Sequence, residues 1–230
     1  MNNSISKAII VTCLVALLGL FYHNVPKKVT LEDELGLVEI FATKKVNGKS
    51  LAFEEQILFV DNMVNTLHDN YFVGTPIAYN SSREPAKFIL NGGGLCYDFS
   101  RTIEKYLMYN GFQTRHVAVY LEHGGFWKTI SMKGVYSHSL TEVKTSKGWM
   151  IVDSNLKFYA LDDMNKIYSY KDLVKQKESP KWKLSLEEGI RPFYSPDIEY
   201  VYGLYSRHGG FYEPYNFIPD YNVSELFYNF

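Results

Sequence analysis

The stretch that most constrains the fold runs from Asn91 to Gly111, where a glycine run leads through Leu95 into Cys96. Apolar side chains then recur at the three- and four-residue spacing of one helix face: Phe99, Ile103 and Leu107. The pattern predicts a helix that begins at Cys96, with the thiol in its first turn and on its buried face. Because a helix N-terminus carries partial positive charge and free N–H groups, which favour a thiolate, we expect Cys96 to be reactive.

Composition limits the classes of function that fit the chain. The sequence has 230 residues, with 24 basic and 25 acidic side chains and a net charge of −1. It therefore lacks the basic surface that nucleic-acid binding requires. The two cysteines are Cys96 and Cys13, and Cys13 lies in an apolar N-terminal run. The folded part holds one thiol, so we expect no internal disulfide, and no metal site or cofactor is indicated.

The N-terminal residues have the pattern of an export signal. Lys7 precedes Ala8–Tyr22, an uncharged apolar run that fits a signal-peptide core and is shorter than the ~20 residues of a full membrane span. No small-x-small cleavage site follows it. We therefore predict an uncleaved signal anchor over residues 1–28, with the rest of the chain outside the cytoplasm, in the periplasm or at the cell surface. Lys27 and Lys28 favour the opposite orientation, since basic residues prefer the cytoplasmic side.

The remainder of the chain divides into three predicted parts. Residues 29–50 are interpreted as a linker, with one strand at Leu37–Thr43. Residues 51–190 are interpreted as the main domain. Residues 191–230 form an extension that is dense in Tyr and Phe. We expect it to pack on the core, because an unfolded segment of this composition would expose apolar surface and aggregate.

Within the main domain, the residue pattern predicts two helices before the thiol and three strands after it. Leu51–Leu67 has a helical period, and Glu84–Leu90 is a short helix with proline at its start. β-Branched and aromatic residues predict strands at three places: Thr114–Leu121, Tyr136–Val143 and Trp149–Ser154.

The last two predicted strands form a β-hairpin whose register decides which side chain lies beside His138. A loop over Lys144–Lys147 would place His138 opposite Asp153, whereas a tighter loop at Ser146-Lys147 would place it opposite Asn155. Directly opposed side chains on one sheet face have Cβ atoms about 4.5–5.5 Å apart. Either partner could orient the imidazole ring, although a carboxylate stabilises an imidazolium better than an amide does.

The sequence thus supplies the parts of cysteine catalysis in chain order. A thiolate nucleophile needs a base that takes its proton and a third group that fixes the tautomer of the base. Cys96 at a helix start, with His138 and Asp153 on neighbouring strands, fits these roles.

The surroundings of these residues form a recurrent pattern: a Gly-x-Cys at a helix start, a glycine and an arginine leading into a strand, a histidine followed by Glu-Val, and a tryptophan before an aspartate. The positions are Gly94, Cys96, Gly111, Arg115, His138, Glu142, Val143, Trp149 and Asp153. Across Pro85–Leu156 the chain resembles the transglutaminase-like superfamily with its papain-like Cys-His-Asp core, in the bacterial membrane-anchored type. The resemblance implies an α+β fold in which the nucleophile helix packs on an antiparallel sheet, and a triad of Cys96, His138 and Asp153.

The same resemblance implies a function. It indicates a cysteine-dependent amide or peptide hydrolase, or an acyltransferase, that acts through a thioester on Cys96. Its expected partners are a protein, peptide or glycan-linked amide substrate and, through residues 1–28, the membrane. Ser139-Leu140 departs from the small-residue-then-tryptophan of many members, which weakens inference about the substrate.

Two alternatives stay open at this point. One is acyl transfer from a thioester donor, as in arylamine N-acetyltransferases, which the chain resembles only in the order of the three residues. The other is an inactive binding module that presents its aromatic segment to a glycan or a protein. In that second case Cys96 is an ordinary small buried side chain.

Overall fold

The centre of the fold is a five-stranded antiparallel sheet. The structure is a computed structural model that describes residues 3–42, 44–78, 81–121, 136–153, 155–205 and 220–230. Its strands are β1 (Phe72–Val73), β2 (Gly93–Gly94), β3 (Gln113–Tyr120), β4 (Ser137–Thr145), β5 (Gly148–Asp153), β6 (Phe158–Tyr159), β7 (Glu199–Tyr202), β8 (Leu204–Tyr205) and β9 (Asp220–Tyr221). The large sheet has the order β6-β5-β4-β3-β7, while β1 pairs with β2 and β8 pairs with β9.

The helices confirm the helical patterns in the sequence. They are α1 (Asn3–His23), α2 (Leu31–Phe41), α3 (Phe53–Asn70), α4 (Pro85–Asn91), α5 (Cys96–Tyr109), α6 (Tyr170–Leu173) and α7 (Val223–Leu226), with 3₁₀ turns at Gly48–Ser50, Arg191–Tyr194 and Phe227–Asn229. The helices predicted near Leu51–Leu67 and Glu84–Leu90 are α3 and α4, and the helix predicted from Cys96 is α5.

Each face of the large sheet is covered by a different part of the chain. Successive side chains of a strand point to opposite faces. On one face, Phe99 and Ile103 of α5 share a buried core with Val143 and Met150 of the sheet. On the other face, Leu140, Ile151 and Phe158 share a core with later residues of the chain: Tyr170, Phe193, Tyr194 and Tyr202. This is the predicted α+β fold, with the nucleophile helix packed on an antiparallel sheet.

The hairpin between β4 and β5 has the tighter of the two predicted turns. Thr145 pairs with Gly148 and Thr141 with Val152, which leaves only Ser146 and Lys147 in the turn. The register with a loop over Lys144–Lys147 is therefore wrong. Gly148 has a φ of +136°, which favours glycine, and the Ser146 N–H donates to Gln56 of α3 at 2.9 Å. Glycine permits the positive φ that the short turn requires, and the hydrogen bond to Gln56 stabilises it.

The strand predicted at Leu37–Thr43 is also wrong, because helix α2 occupies that part of the chain as far as Phe41; Thr43 lies outside the described residues. Thr30 and Asp33 form a capping box at its start: the Asp33 N–H donates to the Thr30 hydroxyl at 3.2 Å, and the Thr30 N–H donates to the Asp33 carboxylate at 2.7 Å. The cap signal outweighs the β-branched residues, and α2 buries Leu37, Ile40 and Phe41.

The two ends of the chain are joined to the domain. β7 of the aromatic extension pairs with β3, where Val117 lies opposite Tyr202, while residues 206–219 of the extension lie outside the described part. Near the N-terminus, the Lys27 ammonium forms an ion pair with Glu104 of α5 at 2.9 Å. Among the helices of the described residues, none combines the length and the apolar character needed to cross a membrane. The signal anchor therefore stays a prediction.

Candidate active site

The glycine run places the start of α5 beside strand β1. Gly93 and Gly94 pair in parallel with Phe72 and Val73. Gly93 has a φ of +137°, and a Cβ there would lie 2.0 Å from the backbone oxygen of Phe72. A Cβ on Gly94 would lie 2.4 Å from the Cβ of Asp98. Larger residues at either position would therefore push the first turn of α5 out of place.

The first turn of α5 is stabilised by Asp98. Its carboxylate accepts a hydrogen bond from the Leu95 N–H at 2.9 Å, and Arg83 forms an ion pair with its other oxygen at 3.1 Å. The first N–H groups of a helix lack the usual partner, because the carbonyl four residues before them lies outside the helix. The Cys96 N–H therefore belongs to the set of donors that can face a substrate oxygen.

The structure brings His138 and Asp153 together. His138 Nε2 lies 2.6 Å from Asp153 Oδ2, and both residues are buried. The observed register, continued by one residue, places Leu140 opposite Asp153, so the imidazole reaches the carboxylate along a diagonal of the sheet. The residue opposite His138 in this register is Asn155, whose backbone N–H donates to Asp153 Oδ1 at 2.9 Å. The expected proximity of Asp153 is therefore found, although the register used to predict it is wrong.

The thiol of Cys96 lies beside the His138 side chain, close enough for the imidazole to act on it. Burial raises the pKa of the Cys96 thiol, but the hydrogen bond and charge of His138 and the backbone N–H of Ser139 outweigh it and hold the pKa below its ordinary value. Burial lowers the pKa of His138, but the charge and hydrogen bond of Asp153, aided by Cys96, raise it to about 10. These opposite shifts favour a thiolate–imidazolium pair.

A fourth side chain, which the sequence reasoning missed, completes the polar chain. The Tyr194 hydroxyl donates to Asp153 Oδ2, the same oxygen that faces His138. Tyr194 is fully buried at the end of the 3₁₀ turn Arg191–Tyr194. It is one of 19 tyrosines, and no local motif distinguishes it, so only the tertiary contact identifies its role.

Arg115 and Glu142, two further positions of the family pattern, form a separate buried ion pair. The Arg115 Nε donates to Glu142 at 2.8 Å, and the guanidinium also lies 4.3 Å from the centre of the Trp149 ring. The Glu142 carboxylate further accepts from the Tyr202 hydroxyl at 3.1 Å and the Tyr170 N–H at 2.7 Å. These contacts hold β3, β4 and β7 together, and none of them involves the Cys96 thiol.

A cleft of about 570 Å³ lies next to β1 and the end of β5, and its described lining residues do not include Cys96, His138 or Asp153. It has aliphatic lining side chains, Val73, Leu156, Leu184, Leu186 and Ile190, and polar ones, His68, Asn155, Lys157, Ser185 and Glu187. Val73 pairs with Gly94, just before Cys96, and Asn155 is bonded to Asp153 through its backbone. Two wall residues of the cleft, Val73 and Asn155, therefore neighbour the segments that position the reacting groups.

Comparison with known protein families gives one match over this part of the chain. Residues 44–154 match the model of the transglutaminase-like superfamily. The match includes Cys96, His138 and Asp153, and it confirms the family that the residue pattern predicted. A comparison with curated protein sequences gave no match.

Solved structures give distant likenesses only. A candidate cysteine protease from Cytophaga hutchinsonii is 14% identical with a TM-score of 0.36, over 60% of this chain and 42% of that protein. LapG from Legionella pneumophila is 15% identical with a TM-score of 0.36, over 56% of this chain and 73% of LapG. Its EGTA-treated form is 19% identical with a TM-score of 0.34, over 56% of this chain and 71% of LapG. Likenesses at this level establish neither the fold nor the activity of this protein.

Proposed function

We propose that this protein is a cysteine-dependent amide or peptide hydrolase or acyltransferase, because residues 44–154 form a domain of the transglutaminase-like superfamily. The observation that carries the proposal is the continuous chain of contacts from the Cys96 thiol through His138 to Asp153. A thiol at a helix start, a histidine beside it and a carboxylate behind the histidine are the parts that nucleophilic acyl chemistry needs. We therefore assign Cys96 as nucleophile, His138 as acid and base, and Asp153 as the group that orients His138.

The first half of the reaction follows from the protonation states of the site. The Cys96 thiolate attacks the carbonyl carbon of an amide, and the carbonyl π electrons move to its oxygen. The Cys96 N–H at the start of α5 stabilises that oxyanion. The His138 imidazolium then donates its proton to the leaving nitrogen as the carbon–nitrogen bond breaks. This leaves a thioester on Cys96, a free amine and a neutral imidazole.

The second half uses the same groups in reverse. Neutral His138 accepts a proton from an incoming water or amine, whose oxygen or nitrogen attacks the thioester carbonyl. Collapse of this second tetrahedral intermediate breaks the carbon–sulfur bond and releases an acid or a new amide. The thiolate and the imidazolium are thereby restored. We favour water as the acceptor, since an enzyme outside the cytoplasm meets water far more often than any one amine.

We place the substrate chain along the cleft, because two of its wall residues, Val73 and Asn155, neighbour the segments that carry the reacting groups. Location outside the cytoplasm and attachment to the membrane through residues 1–28 belong to the same proposal. What supports them is the apolar run at Ala8–Tyr22 and the strong exposure of its side chains in α1, such as Leu18 at 68% and Phe21 at 75%.

The proposal is tested by incubating the full chain with amide, peptide and amine-donor libraries and analysing the intact protein by mass spectrometry. We expect an acyl adduct on Cys96 that disappears as product accumulates, and no adduct on Cys96→Ala. A chain that turns over no amide and forms no adduct would contradict the enzymatic proposal and leave the inactive binding module. An adduct that forms equally on Cys96→Ala would contradict Cys96 as the nucleophile.

A further inference from the structure

We propose that Tyr194 is a positioning residue of the reacting centre, which holds the Asp153 carboxylate in the orientation that His138 requires. The inference rests on the proposed function, since it assigns a role within the same site. Tyr194 lies outside the family match at residues 44–154. It belongs to the aromatic segment that follows the matched domain.

The first observation is the set of groups around Asp153. Oδ2 accepts from the Tyr194 hydroxyl and faces His138 Nε2, while Oδ1 accepts from the Asn155 backbone N–H. A carboxylate held by a single donor can rotate about its last bond. Donors on both oxygens, arranged in three directions, fix both its plane and its position.

The second observation is the state of Tyr194 itself. The residue is fully buried, and its ring packs on Phe158 with the ring centres 4.3 Å apart. Burial, followed by the negative charge of Asp153, holds the pKa of Tyr194 well above its ordinary value. The hydroxyl therefore stays protonated at working pH and acts as a donor to Asp153.

The third observation is the path from Tyr194 to the thiol. The Tyr194 hydroxyl donates to Asp153, and Asp153 is hydrogen-bonded to His138. His138 in turn lies beside the Cys96 thiol. Because His138 Nε2 is held by the carboxylate, Nδ1 is the ring nitrogen left to interact with the thiol. A shift of Asp153 would turn the ring and weaken the thiolate–imidazolium pair, so Tyr194 acts through Asp153 without contacting substrate.

The test compares Tyr194→Phe with Tyr168→Phe in the full chain. Tyr168 is a matched control because it is also buried and its hydroxyl donates to a different carboxylate, that of Asp162, at 2.9 Å. Two quantities are measured: kcat with KM for an amide substrate, and the pH midpoint of Cys96 alkylation by iodoacetamide. For Tyr194→Phe we expect kcat to fall about 10- to 100-fold with KM nearly unchanged, since a hydrogen bond to a charged group is lost. We also expect the alkylation midpoint to rise, whereas both quantities stay near wild type in Tyr168→Phe.

A double variant separates positioning from general destabilisation. In an Asp153→Asn background, the further change Tyr194→Phe should have little effect on kcat, since the residue acts through the carboxylate that has been removed. Equal effects of Tyr194→Phe and Tyr168→Phe, or full additivity with Asp153→Asn, would overturn the inference. The alkylation midpoint needs no substrate, so it tests Tyr194 even if the acyl chemistry proposed above proves wrong.

Discussion

Two buried carboxylates of the central sheet have the same kinds of partner but different consequences. Asp153 accepts from a histidine, a tyrosine hydroxyl and a backbone N–H. Glu142 accepts from an arginine, a tyrosine hydroxyl and a backbone N–H. In both cases the tyrosine comes from the aromatic segment that follows the matched domain: Tyr194 for Asp153 and Tyr202 for Glu142.

The two pairs differ in the cation and in the groups that contact that cation. Arginine side chains do not act as proton donors or acceptors in proteins, and the Arg115 guanidinium is enclosed by the rings of Trp149 and Tyr202, at 4.3 and 4.0 Å from their centres. His138 can gain and lose a proton, and it faces the Cys96 thiol. A buried carboxylate–cation pair is therefore a structural support unless its cation can exchange a proton with a neighbouring nucleophile.

The largest effect is expected at the thiol. Cys96→Ala should reduce turnover to background while the thermal midpoint stays close to wild type, because little volume is lost and alanine favours the helix. Cys96→Ser should be almost as inactive, since a hydroxyl is far harder to ionise beside an imidazole. Steady-state assays with thermal denaturation of each variant make the measurement. Appreciable turnover by Cys96→Ala would end the assignment of the nucleophile.

Substitution at Asp153 should damage activity more than the fold. Asp153→Asn removes the charge behind His138, so kcat should fall on the order of 10²–10⁴-fold, with far-UV circular dichroism unchanged. The pH at which Cys96 alkylates should rise, since the imidazolium loses the group that stabilises it. A kcat within a few-fold of wild type would show that Asp153 does not orient the base.

Substitution at Glu142 should show the opposite pattern. Glu142→Gln leaves the Arg115 charge buried without its counter-charge, and the expected loss is about 3–5 kcal/mol of unfolding free energy. Denaturant titration measures this loss. For protein that remains folded, the alkylation midpoint of Cys96 should match wild type. A shifted midpoint with unchanged stability would mean that the two carboxylates do not differ in role.

The smallest effect is expected at Asn155. Its contact with Asp153 uses the backbone N–H, which alanine keeps, and its buried side-chain oxygen has no hydrogen-bond partner among the described residues. Asn155→Ala should therefore stay within about twofold of wild-type kcat, the size expected of a near-neutral substitution. A larger loss in Asn155→Ala than in Asp153→Asn would assign the orienting role to the amide.

The sequence was most informative where a local pattern decides the structure. The helix that starts at Cys96, the amphipathic α3 and the strands around His138 follow from periodicity and from glycine and proline positions. The same residues carried enough of the family pattern to identify the superfamily and the three candidate site residues. The capping box at Thr30 and Asp33 was also present in the sequence, and it would have replaced the predicted strand at Leu37–Thr43 by a helix.

Other features depend on contacts between distant parts of the chain. The turn at Ser146 is held by Gln56, which no local pattern reveals. The diagonal approach of His138 to Asp153 depends on twist and side-chain reach as well as on register. Tyr194 is one of several tyrosines in the aromatic segment. Only its position against the second face of the sheet brings its hydroxyl to Asp153.

The most direct test of the central claim is the rate of Cys96 alkylation by iodoacetamide as a function of pH, in wild type and in His138→Ala. A thiolate–imidazolium pair exists above the lowered pKa of Cys96 and persists until His138 loses its proton near pH 10. We predict that wild type reacts at a clearly lower pH than His138→Ala, which needs a pH near the ~8.5 of an ordinary thiol. Superimposable profiles with a midpoint near ~8.5 in both proteins would contradict the account.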